Sequence, residues 1–277
     1  MKRLALLAAL LLPLDMAAAE PLETFNNRVF VEVMVNGQRV TALLDSAAEM
    51  TIIDDGFAAR LNLVPTGAAA AHGSGAEAME ARFADNVTIE ALGGSMAARV
   101  AILDLGEVSA RLLGRPVDML LGRELFDEGR LRIDIAGGTI ETFDGDEPRG
   151  VRLPLGADRG IPTFPAAIEG NAPVQAVFDT GNGSEVLIGR TYAERIGLAA
   201  PDRIVERAAG GGLGGARSRD IVILRTLTVA GRTFRDIRAA IDPGETASDL
   251  NIGTAILRHF IITTDFAGHA IWLEPRP

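Results

Sequence analysis

The sequence predicts a mainly β protein made of two homologous lobes with short helices, and three observations carry that prediction. The first is a repeated loop. Ala42-Leu43-Leu44-Asp45-Ser46-Ala47 and Ala176-Val177-Phe178-Asp179-Thr180-Gly181 each run a short apolar segment into an aspartate followed by a hydroxyl residue. The second is that the match continues in order at a nearly constant offset, which marks an internal duplication. It takes in Ile52-Ile53 and Leu187-Ile188, then helix-like segments at Phe57 to Leu63 and Tyr192 to Leu198. Later come a glycine-closed turn, Leu120-Leu121-Gly122 against Asn251-Ile252-Gly253, and Asp134-Ile135-Ala136-Gly137 against Asp265-Phe266-Ala267-Gly268. The third is strand-and-turn patterning, clearest where Val29 to Val35 and Arg39 to Leu44 flank Asn36-Gly37, the signature of a two-residue hairpin turn.

Taken in order, residues 1–19 read as a secretory signal. Lys2-Arg3 precede a largely apolar stretch from Leu4 to Leu14, too short to span a bilayer well, and Ala17-Ala18-Ala19 precede Glu20. The protein is therefore expected in the periplasm or outside the cell, with no membrane insertion once the signal is removed. Residues 20–143 form the first lobe, in which the Val29 to Leu44 hairpin delivers Asp45. Strands are expected at Asn86 to Ile89, Ala97 to Leu103 and Leu131 to Ile135, and a glycine-rich tip at Gly73-Ser74-Gly75. The polar stretch 144–150, with glycine and proline, reads as the linker, and 151–277 as the second lobe. That lobe opens with Arg152 to Leu155 and Phe164 to Ile168, and carries its own glycine-rich tip at Gly212-Leu213-Gly214. The run Gly210 to Gly215 also fits a nucleotide-binding expression. Such a site needs a strand before it and a helix after it, whereas Asp220 to Leu224 reads as a strand.

Composition narrows the function. A formal net charge of −10 is unsuited to nucleic acid or an anionic membrane. The chain has no cysteine, so burial and not disulfides must hold an exported fold together, and 48% hydrophobic residues supply material for a core. His72, His259 and His269 lack the spacing of metal ligands, so no metal and no cofactor is expected. Gly183-Ser184 lacks the glycine-flanked elbow of a serine hydrolase. Asp134 and Asp265 each precede an apolar residue and Ala-Gly, which favours a turn-forming role.

A single Asp-Thr-Gly is an ordinary turn, but two such loops in a duplicated chain resemble the pepsin and retroviral-protease superfamily. The likeness is closest to bacterial retropepsin-like aspartic proteases that carry both lobes in one chain. The resemblance implies a bilobal acid-protease fold, a water activated between Asp45 and Asp179, and supporting loops Ser46-Ala47 and Thr180-Gly181. It implies late turns at Gly122 and Gly253, and flaps tipped by Gly73, Ser74 and Gly75 and by Gly212, Leu213 and Gly214. Glu49, four residues after Asp45, falls where retroviral relatives bind the substrate backbone; a solvated turn acid is the equal alternative. The partner expected is an extended peptide held in a monomer. The departure is Ala47, where the family has glycine. It leaves open a catalytically impaired pseudoprotease that binds peptides, and a third arrangement in which second lobes pair between chains.

Overall fold

The structure is a computed structural model that describes residues 19–145, 147–184 and 186–276. The signal expected at 1–19 lies, apart from Ala19, outside the described residues. The fold is mainly β with a few short helices, in two sheets of thirteen and eight strands. Among the described residues no helix is long and apolar enough to cross a membrane.

Each lobe repeats one arrangement around its aspartate. In the first, strand Gln38–Leu44 runs parallel to Met119–Leu121, with Leu43 opposite Leu120. Strand Ile52–Asp54 lies antiparallel on the other side of Met119–Leu121 and parallel to Gly94–Leu103. In the second, Val174–Phe178 runs parallel to Leu250–Ile252, with Val177 opposite Asn251. Val186–Gly189 lies antiparallel to Leu250–Ile252 and parallel to Arg232–Asp242. The chain thus leaves the aspartate strand, turns through the loop, and returns on the far side of a short central strand. That path needs close backbone crossings. A Cβ on Gly122 would lie 2.6 Å from the Met50 carbonyl carbon, and one on Gly253 2.2 Å from the Ser184 oxygen. Only glycine fits these late turns.

The hairpin before Asp45 forms as expected, from Arg28–Val35 and Gln38–Leu44. Asn36 and Gly37 both have positive φ, as a turn matching the twist of the strands requires. Asp134 and Asp265 are turn formers: each accepts a hydrogen bond from the backbone N–H three residues on, at 2.7 and 2.6 Å. The helices are shorter than the periodicity suggests, Asp55–Arg60 and Arg190–Arg195, because each ends where a tight turn redirects the chain at Asn62 or Gly197, both of positive φ. The sequence reading missed the strand Glu20–Phe25, whose faces are mostly exposed and give no clean alternation.

The lobes also share a sheet. The second-lobe strand Phe260–Asp265 pairs with first-lobe Leu131–Asp134, and Val151–Pro154 pairs with Ala270–Pro275 at the edge of the same sheet. Above it, Phe126 from the first lobe stacks on Phe266 and meets Phe178 edge-on, with centroids 5.0 and 6.3 Å apart. Phe126 and Phe178 are fully buried, so one apolar core runs beneath both aspartates.

Candidate active site

Asp45 and Asp179 stand at the ends of their strands, each fixed by its own backbone N–H, which donates to Leu121 O at 2.9 Å and to Ile252 O at 3.3 Å. The hydroxyl residues that follow cross between the lobes. The Ser46 N–H donates to Thr180 Oγ1 at 2.9 Å, and the Thr180 N–H donates to Ser46 Oγ at 3.0 Å. Each hydroxyl donates in turn to the opposite strand: Ser46 Oγ to Phe178 O at 2.8 Å and Thr180 Oγ1 to Leu44 O at 2.9 Å. Both side chains are fully buried, so these bonds are shielded from water, and the two loops are locked to each other within one chain.

The lock brings the two aspartate loops together, close enough that the Asp179 charge acts on Asp45. A Cβ on Gly181 would sit 2.5 to 2.7 Å from the atoms of the Asp45 carboxyl group, so the second-lobe loop lies against the first-lobe aspartate. Burial, and next the nearby Asp179 charge, push the Asp45 carboxyl up to about 7. Backbone N–H groups of Ala47 and Ala48, which donate to Asp45 Oδ1 at 3.0 and 3.1 Å, and the Arg28 charge only partly offset this rise. Burial also raises Asp179, against a side-chain hydrogen bond from Asn251 and the backbone N–H groups of Asn182 and Gly181. Two such carboxyl groups side by side favour a state holding one proton between them.

Their surroundings differ in one respect that the sequence reading missed. Asn251 Nδ2 donates to Asp179 Oδ2 at 2.6 Å, and Asn182 Nδ2 donates to Asn251 Oδ1 at 2.7 Å, orienting the amide. The strand register puts Leu120 at the matching place in the first lobe. The signal was present, since Asn251 interrupts an otherwise apolar pair before Gly253. Arg28 was also missed. Its guanidinium is near both aspartates, and burial draws it below its ordinary value while their charges oppose that.

The two glycine-rich tips form one roof. Gly67–His72 and Ala78–Ala91 make the first hairpin, and Ile204–Gly212 and Gly215–Val229 the second. The Gly75 N–H donates to Leu213 O and the Glu77 N–H to Gly214 O, both at 2.8 Å. Cβ atoms built on Gly73 and Gly75 would fall within 2.4 and 2.1 Å of the opposing backbone, and one on Gly212 would meet Ser74 Oγ. Arg217 Nε donates to Gly75 O at 2.7 Å. Arg111, in the π-helical turn Ser109–Leu113, holds Gly210 O and Gly212 O at 3.0 and 2.8 Å. Leu213 packs on the first-lobe cluster that contains Phe30 and Leu120. Glu49 stands apart from this constellation, exposed at the rim, with Gly160 and Arg123 as neighbours.

The solved structures that match include a retropepsin-like aspartic protease from Rickettsia conorii, at 16% identity and a TM-score of 0.36, over 44% of this chain and 88% of the other. No curated protein sequence matches significantly. The sequence profile described as "Aspartyl protease" matches twice, at residues 31–125 and 164–256, each time spanning one aspartate loop and one late glycine turn. With both repeats matched over more than half its length, the chain belongs to the aspartyl protease family, with both repeats in one polypeptide.

Proposed function

We propose that the protein is an aspartic endopeptidase that hydrolyses peptide bonds in an extended substrate held beneath the joined flaps. The observation that carries this is the dyad itself. Two half-buried carboxyls stand on loops joined by a buried set of crossed hydrogen bonds, and burial with the Asp179 charge raises Asp45 to about 7, which supports a pair that retains one proton across the acid range.

The asymmetry of the pair supports a division of roles. The Asn251 amide favours the charged form of Asp179, while Asp45 has no side-chain donor among the described residues and keeps the proton. Asp179 then takes a proton from the attacking water as its oxygen adds to the scissile carbonyl carbon, and Asp45 gives its proton to the carbonyl oxygen. Collapse of the tetrahedral intermediate breaks the C–N bond: the amine nitrogen leaves with the proton that Asp179 received, and one hydroxyl of the gem-diol returns its proton to the dyad as the carbonyl re-forms, restoring the starting state. No covalent enzyme intermediate is needed. Opening of the flap contacts admits the chain, and backbone groups of Gly73 to Gly75 and Gly212 to Gly214 are placed to pair with it as an added strand. Glu49 serves at the rim.

Ala47 bears on the pseudoprotease alternative. Its φ lies outside the left-handed region and its N–H donates to Asp45, which supports an alanine tolerated in a working loop. The test is digestion of a denatured protein between pH 4 and 6, with fragments mapped by mass spectrometry. Pepstatin-sensitive cleavage lost in both Asp45→Asn and Asp179→Asn supports the enzyme. A folded parent that binds peptides without cutting them at any acid pH supports the alternative. We further read residues 1–19 as an export signal of a monomeric periplasmic or secreted protein. N-terminal sequencing of the exported form, starting at Glu20, and a solution mass of one chain are the expected results.

A further inference from the structure

The cleft contains a half-buried arginine whose charge nothing in the catalytic proposal uses. Arg28 begins the strand Arg28–Val35, and its side chain reaches across to the second lobe, where a Cβ on Gly183 would fall 2.8 Å from its NH1 and 3.1 Å from its Cγ. Gly183 follows Asp179 by four residues, the place that Glu49 holds after Asp45. One end of the duplicated cleft therefore has an acid with Arg123 nearby, and the other has a bare glycine against a guanidinium.

The partners of Arg28 leave most of its hydrogen-bonding capacity open. NH1 donates to Leu112 O at 3.2 Å and more weakly to Asn26 O at 3.3 Å, both neutral carbonyls. Nε and NH2 have no protein acceptor among the described residues, and no carboxylate lies within ion-pair distance. Other partly or fully buried arginines do hold a carboxylate, Arg203 with Glu169 at 3.1 Å, Arg219 with Asp242 at 2.8 Å and Arg132 with Glu274 at 3.1 Å, whereas Arg217 and Arg232, like Arg28, donate to backbone carbonyls. A partly desolvated guanidinium held at its root and free at its fork is a ready receptor for a carboxylate, which it can bind through two parallel hydrogen bonds. The Asp45 and Asp179 charges also act on it, which places it in the catalytic cleft and not on the outer surface.

We infer that Arg28 forms an anionic subsite that recognises a carboxylate of the bound peptide, on the Gly183 side of the dyad. This rests on the reading of the cleft as a peptide-binding site. With a rise of about 3.3 Å per extended residue, the carboxylate belongs to a residue within about three positions of the bond opposite the dyad. It can come from an aspartate or glutamate side chain or from the C-terminus of a short substrate. At the opposite end, Glu49 disfavours the same charge, so the polarity of the cleft also sets the direction in which the chain lies.

The test uses the full chain carrying Asp45→Asn, so that binding is measured without turnover. The probes are fluorescent hexapeptides of apolar sequence, capped at both ends, in which each position in turn is Glu or Gln. A further pair is uncapped or amidated at the C-terminus. Anisotropy titration is expected to show one position, or the free C-terminus, at which the carboxylate binds about tenfold tighter than its neutral counterpart, with the preference shrinking as salt is added. Adding Arg28→Gln should bring that ratio close to one, and Arg28→Lys should restore part of it. Thermal unfolding confirms that each variant is folded. Equal binding of Glu and Gln probes everywhere, or a preference that survives Arg28→Gln, overturns the subsite. Absence of binding by every probe overturns it together with the cleft reading. Carboxylate-selective binding by a parent that never cleaves the same peptides keeps the subsite and removes the endopeptidase.

Discussion

In the first lobe, Asp45 is held on one oxygen by the N–H groups of Ala47 and Ala48, and the parallel central strand brings Leu120 level with Leu43. In the second, Asp179 has the Asn182 N–H at 2.9 Å on one oxygen and the Asn251 amide at 2.6 Å on the other. The loops differ again two residues on, where Gly181 leaves room for the opposite carboxyl and Ala47 carries a methyl group. Duplication supplied two equal aspartates, and these neighbours make them unequal. In the proposed mechanism one keeps a proton and the other gives it up, an asymmetry that a single chain can encode and a symmetric pair of identical lobes cannot.

The largest expected effect tests whether both members are needed at all. Asp45→Asn and Asp179→Asn should each lower turnover of a denatured protein by at least about a hundredfold, since each removes one of two proton carriers. Peptide binding should survive in both. Retention of full activity in Asp45→Asn with loss in Asp179→Asn would mean that second lobes pair between chains.

Close behind comes Gly181→Ala. Its new Cβ would have to stand 2.5 to 2.7 Å from the Asp45 carboxyl group, so the carboxyl or the loop must move. A displacement of about 1 Å at reacting groups can lower turnover a hundredfold. Steady-state kinetics should show the loss in kcat, with unfolding temperature changed little.

The pH dependence follows from the raised carboxyls. Activity should fall as pH rises through about 7, where Asp45 loses the shared proton. Folding stability moves in the same sense. A carboxyl whose folded pKa lies above its unfolded value stabilises the fold fully below the unfolded pKa of 3.8, and that contribution is lost as pH rises through the folded value of about 7. Asp45→Asn should therefore be more stable than the parent at pH 8, by roughly 1–2 kcal/mol once the half-open cleft is allowed for, and the gap should narrow at pH 4. Urea unfolding at the two pH values measures it.

Asn251→Leu gives the second lobe the first-lobe residue. Without the amide, Asp179 ionises less readily, so the acid limb of the pH profile should move to higher pH while the basic limb stays near its place. An unchanged acid limb would show that Asn251 only packs.

The residues show why some of this was readable in sequence and some was not. The duplication, the aspartate strands, the Asn36-Gly37 turn and the late glycines have local signatures: apolar runs, turn chemistry, and close approaches that only glycine permits. The glycine-rich tips could be placed but not joined, because Gly75 to Leu213 is a contact between lobes. The shared sheet formed by Leu131–Asp134 and Phe260–Asp265 is likewise a pairing of distant segments with no local trace. Arg28 looked like any arginine opening a strand. Its meaning depends on Gly183, distant in sequence, and on the lack of a carboxylate at ion-pair distance among the described residues.

The smallest effect concerns Ala47, and it sharpens the comparison most. Gly181 and Ala47 both have φ outside the left-handed region, so the second-lobe glycine is required for space and not for backbone freedom. In the second lobe the Asn251 bond fixes the Asp179 carboxyl without a first-lobe counterpart, and the two loops no longer need to mirror each other. Ala47→Gly should then change turnover by less than about tenfold, or roughly 1.4 kcal/mol of barrier. It should also destabilise the chain slightly, by about 0.5–1 kcal/mol, because glycine gives the unfolded chain more freedom. A parent without activity whose Ala47→Gly variant gains pepstatin-sensitive cleavage would reverse this account and make the methyl the element that silences the dyad. Combining Ala47→Gly with Asn251→Leu separates the two accounts further. If the amide is what allows the methyl, the double variant should recover part of the activity that Asn251→Leu loses, whereas independent effects should simply multiply.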